Sequence, residues 1–118
     1  MNNTIDFLTL AGEKANLKLL EQLHNALLST GKDIQTRIFP IYIRYADDEK
    51  NIALVYFKGK SLKPGEIELG LNIGNAKFPK GFDDGKHMQY PGINCGIKLD
   101  SSYRLSKKLL EVIKLTQR

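Results

Sequence analysis

Cys95 and His87 form the one pair in this sequence able to act as thiol nucleophile and general base. The thiolate is the reactive form, and a neighbouring imidazole is the usual group that generates it. Such a pair needs both residues on one sheet face beneath a cavity. Ile93, Cys95, Ile97 and Leu99 recur at period two, so Cys95 shares a face with three aliphatic residues, and burial among apolar groups silences a thiol. The acids offer less. Glu66 and Glu68 fall at alternate positions expected on a wet strand face, and Asp83 and Asp84 are adjacent in a loop, which is not an acid/base constellation. Asp47, Asp48 and Glu49 lack the alternating ligands and central glycine of a calcium loop. Gly59-Lys60-Ser61 imitates the end of a phosphate-binding loop without its upstream glycine or following helix. His24 has no metal-type residue four positions on. No catalytic residue, metal ligand or cofactor is assigned from these patterns, and a small enzyme built on His87 and Cys95 is the alternative to a binding role.

Stacking combined with positive charge is better represented. Tyr42, Arg44, Tyr45, Tyr56, Lys58, Lys60, His87 and Tyr90 are spread over expected strands and their ends, and a sheet face carrying aromatics and cations can hold bases or phosphates. The net charge of +5 is uneven: residues 1–57 hold six basic and seven acidic side chains, residues 58–118 twelve and six. That asymmetry favours an anionic partner, nucleic acid or a phosphate-bearing ligand, although lysine-rich surfaces also serve solubility alone. The candidate binding residues are therefore Arg44, Tyr56, Lys58, Lys60, Lys63, His87 and Tyr90, with the open sheet face and the loop from Gly74 to Gly85 as their setting. A homodimer joined through sheet edges or the open face is a third reading.

Composition bounds these choices. A chain of 118 residues with 42% hydrophobic and 26% charged side chains is long enough to bury a core as a single domain, residues 1–118, and is neither disordered nor membrane-spanning in character. One cysteine excludes an internal disulfide, and the first residues lack the basic start and apolar stretch of a secretory signal, so the expected location is the cytoplasm.

The elements that must position these residues follow from periodicity. Residues 1–11 are expected to be an arm or short helical turn. Leu17, Leu19, Leu20, Leu23, Ala26, Leu27 and Leu28 gather on one side of a helix spanning about Glu13 to Ser29. His24 lies at the margin of that apolar arc, as a packing residue. Gln35 to Ala46 reads as extended, with Pro40 at a strand start or edge. Ile52 to Phe57 is an unbroken apolar run suited to a central strand. Glu66 to Ile73 alternates strictly and is joined to that run by a basic, glycine-bounded tip. Lys86 to Leu99 reads as a short strand, a Pro91-Gly92 break and a second strand. Asp100, Ser101 and Ser102 are N-cap types for a helix to the C-terminus. The expected fold is α+β: an N-terminal helix, a four- to five-stranded, mostly antiparallel sheet, and a C-terminal helix, with both helices on one face.

From Leu17 onward the chain resembles a small bacterial domain family of unknown function, often labelled "predicted transport protein" and sometimes attached to nuclease-like or DNA-associated modules. The residues that carry the resemblance are the amphipathic first helix, Tyr42-Ile43-Arg44-Tyr45, Val55-Tyr56-Phe57-Lys58, Glu68-Leu69-Gly70-Leu71, Gly85-Lys86-His87, and Ile97-Lys98-Leu99-Asp100-Ser101-Ser102. The resemblance implies a compact α+β domain with an antiparallel sheet between terminal helices. It carries over no catalytic residue.

Overall fold

Strand-forming runs that follow one another in sequence make successive antiparallel pairing the simplest arrangement for this chain, and its computed structural model has that form. It describes residues 7, 9, 12, 16–31, 33–48, 50–59, 62–100 and 102–117. A helix α1 (Leu17–Leu28) precedes strands β1 (Gln35–Ile38), β2 (Tyr42–Ala46), β3 (Asn51–Tyr56), β4 (Ile67–Leu71) and β5 (Cys95–Leu99), and a helix α2 (Lys107–Lys114) follows. The strands form one meander in the order β1-β2-β3-β4-β5, every pair antiparallel. Among the described residues no helix is long and apolar enough to cross a membrane.

The two periodicities of the sequence meet on one side of this sheet. Ile43, Tyr45, Ala53, Val55, Ile67, Leu69, Leu71, Cys95 and Leu99 face Leu19, Leu20, Leu23 and Leu27 of α1 and Leu109, Val112 and Ile113 of α2 in a single core. Each fully buried aliphatic side chain of this kind stabilises the fold by about 1.5–3 kcal/mol before entropy is counted. His24 is buried in that layer, its Nδ1 2.7 Å from the Tyr45 hydroxyl and its ring edge-on to Phe7. It ties α1 to the sheet.

Several local expectations are corrected. Gln35 to Ala46 is a hairpin of two strands: Pro40 and Ile41 make its loop, and the Phe39 N–H donates to the Tyr42 carbonyl at 2.8 Å. The segment expected as a short strand before Pro91 is instead a 3-10 turn, Lys86–Met88. The second helix starts later than Asp100, at Lys107. Asp100 spends its carboxylate on the N–H and hydroxyl of Ser102, which hold its carboxyl below the usual range, while Ser106 Oγ accepts from the Leu109 N–H at 3.1 Å and caps α2. Asx-type turns of this kind compete with helix initiation. Ser101 and most of residues 1–11 lie outside the described residues.

The largest correction concerns the sheet's second face, expected to be open. Its side chains fall into two cross-strand rows. One row runs Arg37, Arg44, Leu54, Gly70, Gly96, and the other Tyr42, Tyr56, Glu68, Lys98. The segment from Asp83 to Ile93 folds over part of this face, and Leu54, Met88 and Ile93 form a small second core there.

Candidate functional site

The cover is anchored at three places. Asp83 pairs with Gly96 along the free edge of β5, with N–H to carbonyl bonds of 2.8 Å in both directions. Gly85 then takes a left-handed φ of 63°, turning the chain inward so that Lys86–Met88 lies over β4 and β5. Asn51 and Asn94 hold the far end, through Asn51 Nδ2 to the Pro91 carbonyl (2.9 Å) and Asn94 Oδ1 from the Ile73 N–H (3.0 Å). Room for the cover comes from two strand glycines: a Cβ at Gly70 would run into Met88 and Ile93, and one at Gly96 would lie 2.9 Å from Asp83 Oδ1. Glycine inside a strand marks close approach by another backbone or a ligand.

Under the cover, Glu68 is 4% exposed. Its Oε2 lies 2.6 Å from Nε2 of His87, whose own side chain is half exposed. Alternation was right to put Glu68 on the face away from the helices, and wrong to expect water there. Asp83 completes the group: one donor atom each from Glu68, Asp83 and His87 lie within 4.8 Å of one another. Asp83 Oδ1 is oriented by the Gly85 N–H at 2.7 Å. These three residues can share a proton or hold a cation between them.

Next to Glu68 in its row stand the aromatics. Tyr42 stacks on Tyr56 with ring centroids 4.8 Å apart and on Phe39 at 4.6 Å, and the Arg37 guanidinium lies 5.3 Å from the Phe39 ring centre. Tyr90, reaching across from the cover, shares a 2.6 Å hydroxyl hydrogen bond with Tyr42. Burial, that hydrogen bond and the charges of the neighbouring phenols push Tyr42 up to about 12. Tyr56 is raised by burial first, then by Tyr90 and Glu68. Both phenols are therefore neutral near pH 7.

Of the residues singled out from sequence, Tyr56, Tyr90, Arg44 and His87 share this face. Arg44 donates through Nε to Asn51 Oδ1 at 2.7 Å and borders a cleft of about 400 Å³ that also includes Asp47, Asp48 and Lys50. Lys58 is exposed just past β3, and Lys63 is exposed at the tip of the β3–β4 connection, away from the strands themselves. Lys60 lies outside the described residues. The loop from Gly74 to Gly85 contributes through its last turn, where Asp83 stands.

Cys95 and His87 are not brought together. Cys95 pairs with Leu71 in register and is fully buried in the core facing the helices, whereas His87 sits with Glu68 on the opposite face. Burial, with the charge of Asp83 adding to it, pushes the Cys95 thiol up to about 11. A nucleophile–base pair of these two residues does not exist in this fold. Sequence reasoning missed Arg37, Phe39, Glu68 and Asp83. The signal for the last two was available in Gly70 and Gly96, a glycine in each of two strands, once their register placed them side by side. No protein-family model, no curated protein and no solved structure matches the chain.

Proposed function

We propose that this chain is a binding module for single-stranded nucleic acid, held on the second face of the sheet. The observation that carries the reading is the cation-flanked aromatic row: Arg37 over Phe39, Phe39 on Tyr42, and Tyr42 on Tyr56, all at one end of the sheet. Single strands are held where aromatic rings meet bases and cations track phosphates, and this combination needs no base-specific hydrogen bonds. Phe39, Tyr42, Tyr56 and Tyr90 are each partly exposed, and Arg37 and Lys58 are exposed beside them. The excess of positive charge in residues 58–118 supplies long-range attraction of the same sign.

Fluorescence anisotropy with labelled single-stranded DNA and RNA across a salt series tests the reading. Expected is binding whose log affinity falls linearly with log salt, by about 0.7 per phosphate contact. Arg37→Gln is expected to lower that slope by about one contact, and Phe39→Ala to cost about 1–3 kcal/mol, the range for one base stacked on an aromatic ring. An absence of binding at low salt, or affinity unchanged by Phe39→Ala, overturns the assignment.

A further inference from the structure

We propose that Glu68, Asp83 and His87 form a binding site for a divalent transition-metal ion of borderline softness, such as zinc or cobalt. The three donors come from separate segments, β4, the bridge on Gly96 and the 3-10 turn, and converge to within 4.8 Å of one another. Donors around a metal at about 2.0–2.2 Å lie somewhat closer together than that. The closing movement falls on His87, whose half-exposed side chain has room to rotate, while Glu68 stays fixed in the sheet and Asp83 is held by the Gly85 N–H.

Charge and solvation argue the same way. A carboxylate that is 4% exposed has lost most of its hydration, which is costly unless a positive charge or strong donors replace it. The 2.6 Å hydrogen bond between Glu68 and His87 places a shared proton at the point where an ion would bind. An ion replacing that proton meets two carboxylates and a neutral imidazole, a set whose charge balances +2. One nitrogen and two oxygen donors suit zinc, cobalt, nickel, manganese or iron(II) better than calcium, which asks for six to eight oxygens, or magnesium, which keeps to oxygen and water. Support for the ligands is also present. The Gly85 N–H fixes the Asp83 carboxylate at 2.7 Å, the kind of outer contact that orients metal ligands. A simple lock for the cover would need His87 and Glu68 alone, whereas the metal reading also uses Asp83.

Tag-free protein treated with a chelator and dialysed is titrated calorimetrically with zinc, cobalt, magnesium and calcium, and the cobalt complex is followed by visible absorption. Expected is one equivalent of zinc or cobalt per chain, with magnesium and calcium much weaker. His87→Ala and Asp83→Asn are each expected to weaken zinc by about tenfold or more and to abolish the cobalt bands. Asp83→Asn keeps the acceptor for Gly85, so it separates lost ligation from a damaged turn, and circular dichroism verifies that both variants are folded. Absence of zinc and cobalt binding, magnesium affinity equal to that of zinc, or either folded variant binding at full strength overturns the site.

Discussion

Cys95 and Glu68 stand on neighbouring strands, β5 and β4, yet the side of the sheet each faces decides its chemistry. Cys95 is at position two of an apolar alternation and ends fully buried against the helices, with its thiol pushed up to about 11. The thiolate is the nucleophile, and its population at neutral pH is small when burial disfavours it. Native protein at pH 7.5 is therefore expected to react with iodoacetamide far more slowly than the same protein unfolded in urea. Mass spectrometry after timed quenching checks this. Equal rates in the two states would place the thiol at the surface and contradict its position in the core. Glu68 follows the same alternation to the other face and keeps a polar role because His87 reaches it.

At the scale of elements, the start of α2 is decided by which serine or aspartate has its side chain free to cap. Asp100 and Ser102 bond each other, and Ser106 accepts from the Leu109 N–H. Loss of an N-cap costs about 1 kcal/mol. Ser106→Ala is expected to lower the unfolding free energy by that amount, while Ser102→Ala changes it by less than half as much, as read from urea titrations of the two variants. The reverse order would put the helix start at Asp100. The same competition explains what the sequence could and could not say. Apolar period identified α1 and the helix-facing side of β4, and an unbroken apolar run identified β3, because Leu23, Val55 and Leu69 have one solution once both helices pack on one face. It also gave the face of Glu68 but not its burial, since what covers that face comes from Asp83 to Ile93, a segment with no period of its own. Pro40 reads from sequence as a strand start or edge and lies instead in a hairpin loop, a position that equally spares it a ladder bond. Of the site, Tyr56, Tyr90 and His87 were visible by type. Their grouping depended on strand register, which side-chain type does not encode.

For the molecule as a whole, the distribution of buried weak acids sets how it meets alkali. Tyr45 is buried on the helix side, where desolvation raises its phenol, and Cys95 lies in the same core; Tyr42 and Tyr56 are raised on the other side. Each of these groups is neutral when protonated, so burial favours the protonated form in the folded chain. The ordinary values are 9.0 for the thiol and 10.0 for a phenol, against about 11 for Cys95 and about 12 for Tyr42 in the fold. Below pH 9 both states hold these protons and stability does not depend on them. Above it the unfolded chain releases protons that the folded chain retains, so stability falls as pH rises through 9 to 12. The urea midpoint is expected to be flat from pH 7 to 9 and to decline steadily above that. Tyr42→Phe should start from a lower midpoint, through loss of the bond to Tyr90, and then decline less steeply between pH 10 and 12. A midpoint that holds constant to pH 12 would mean that these phenols and the thiol are as well solvated in the folded chain as in the unfolded one, and the two-sided packing of the sheet would be wrong.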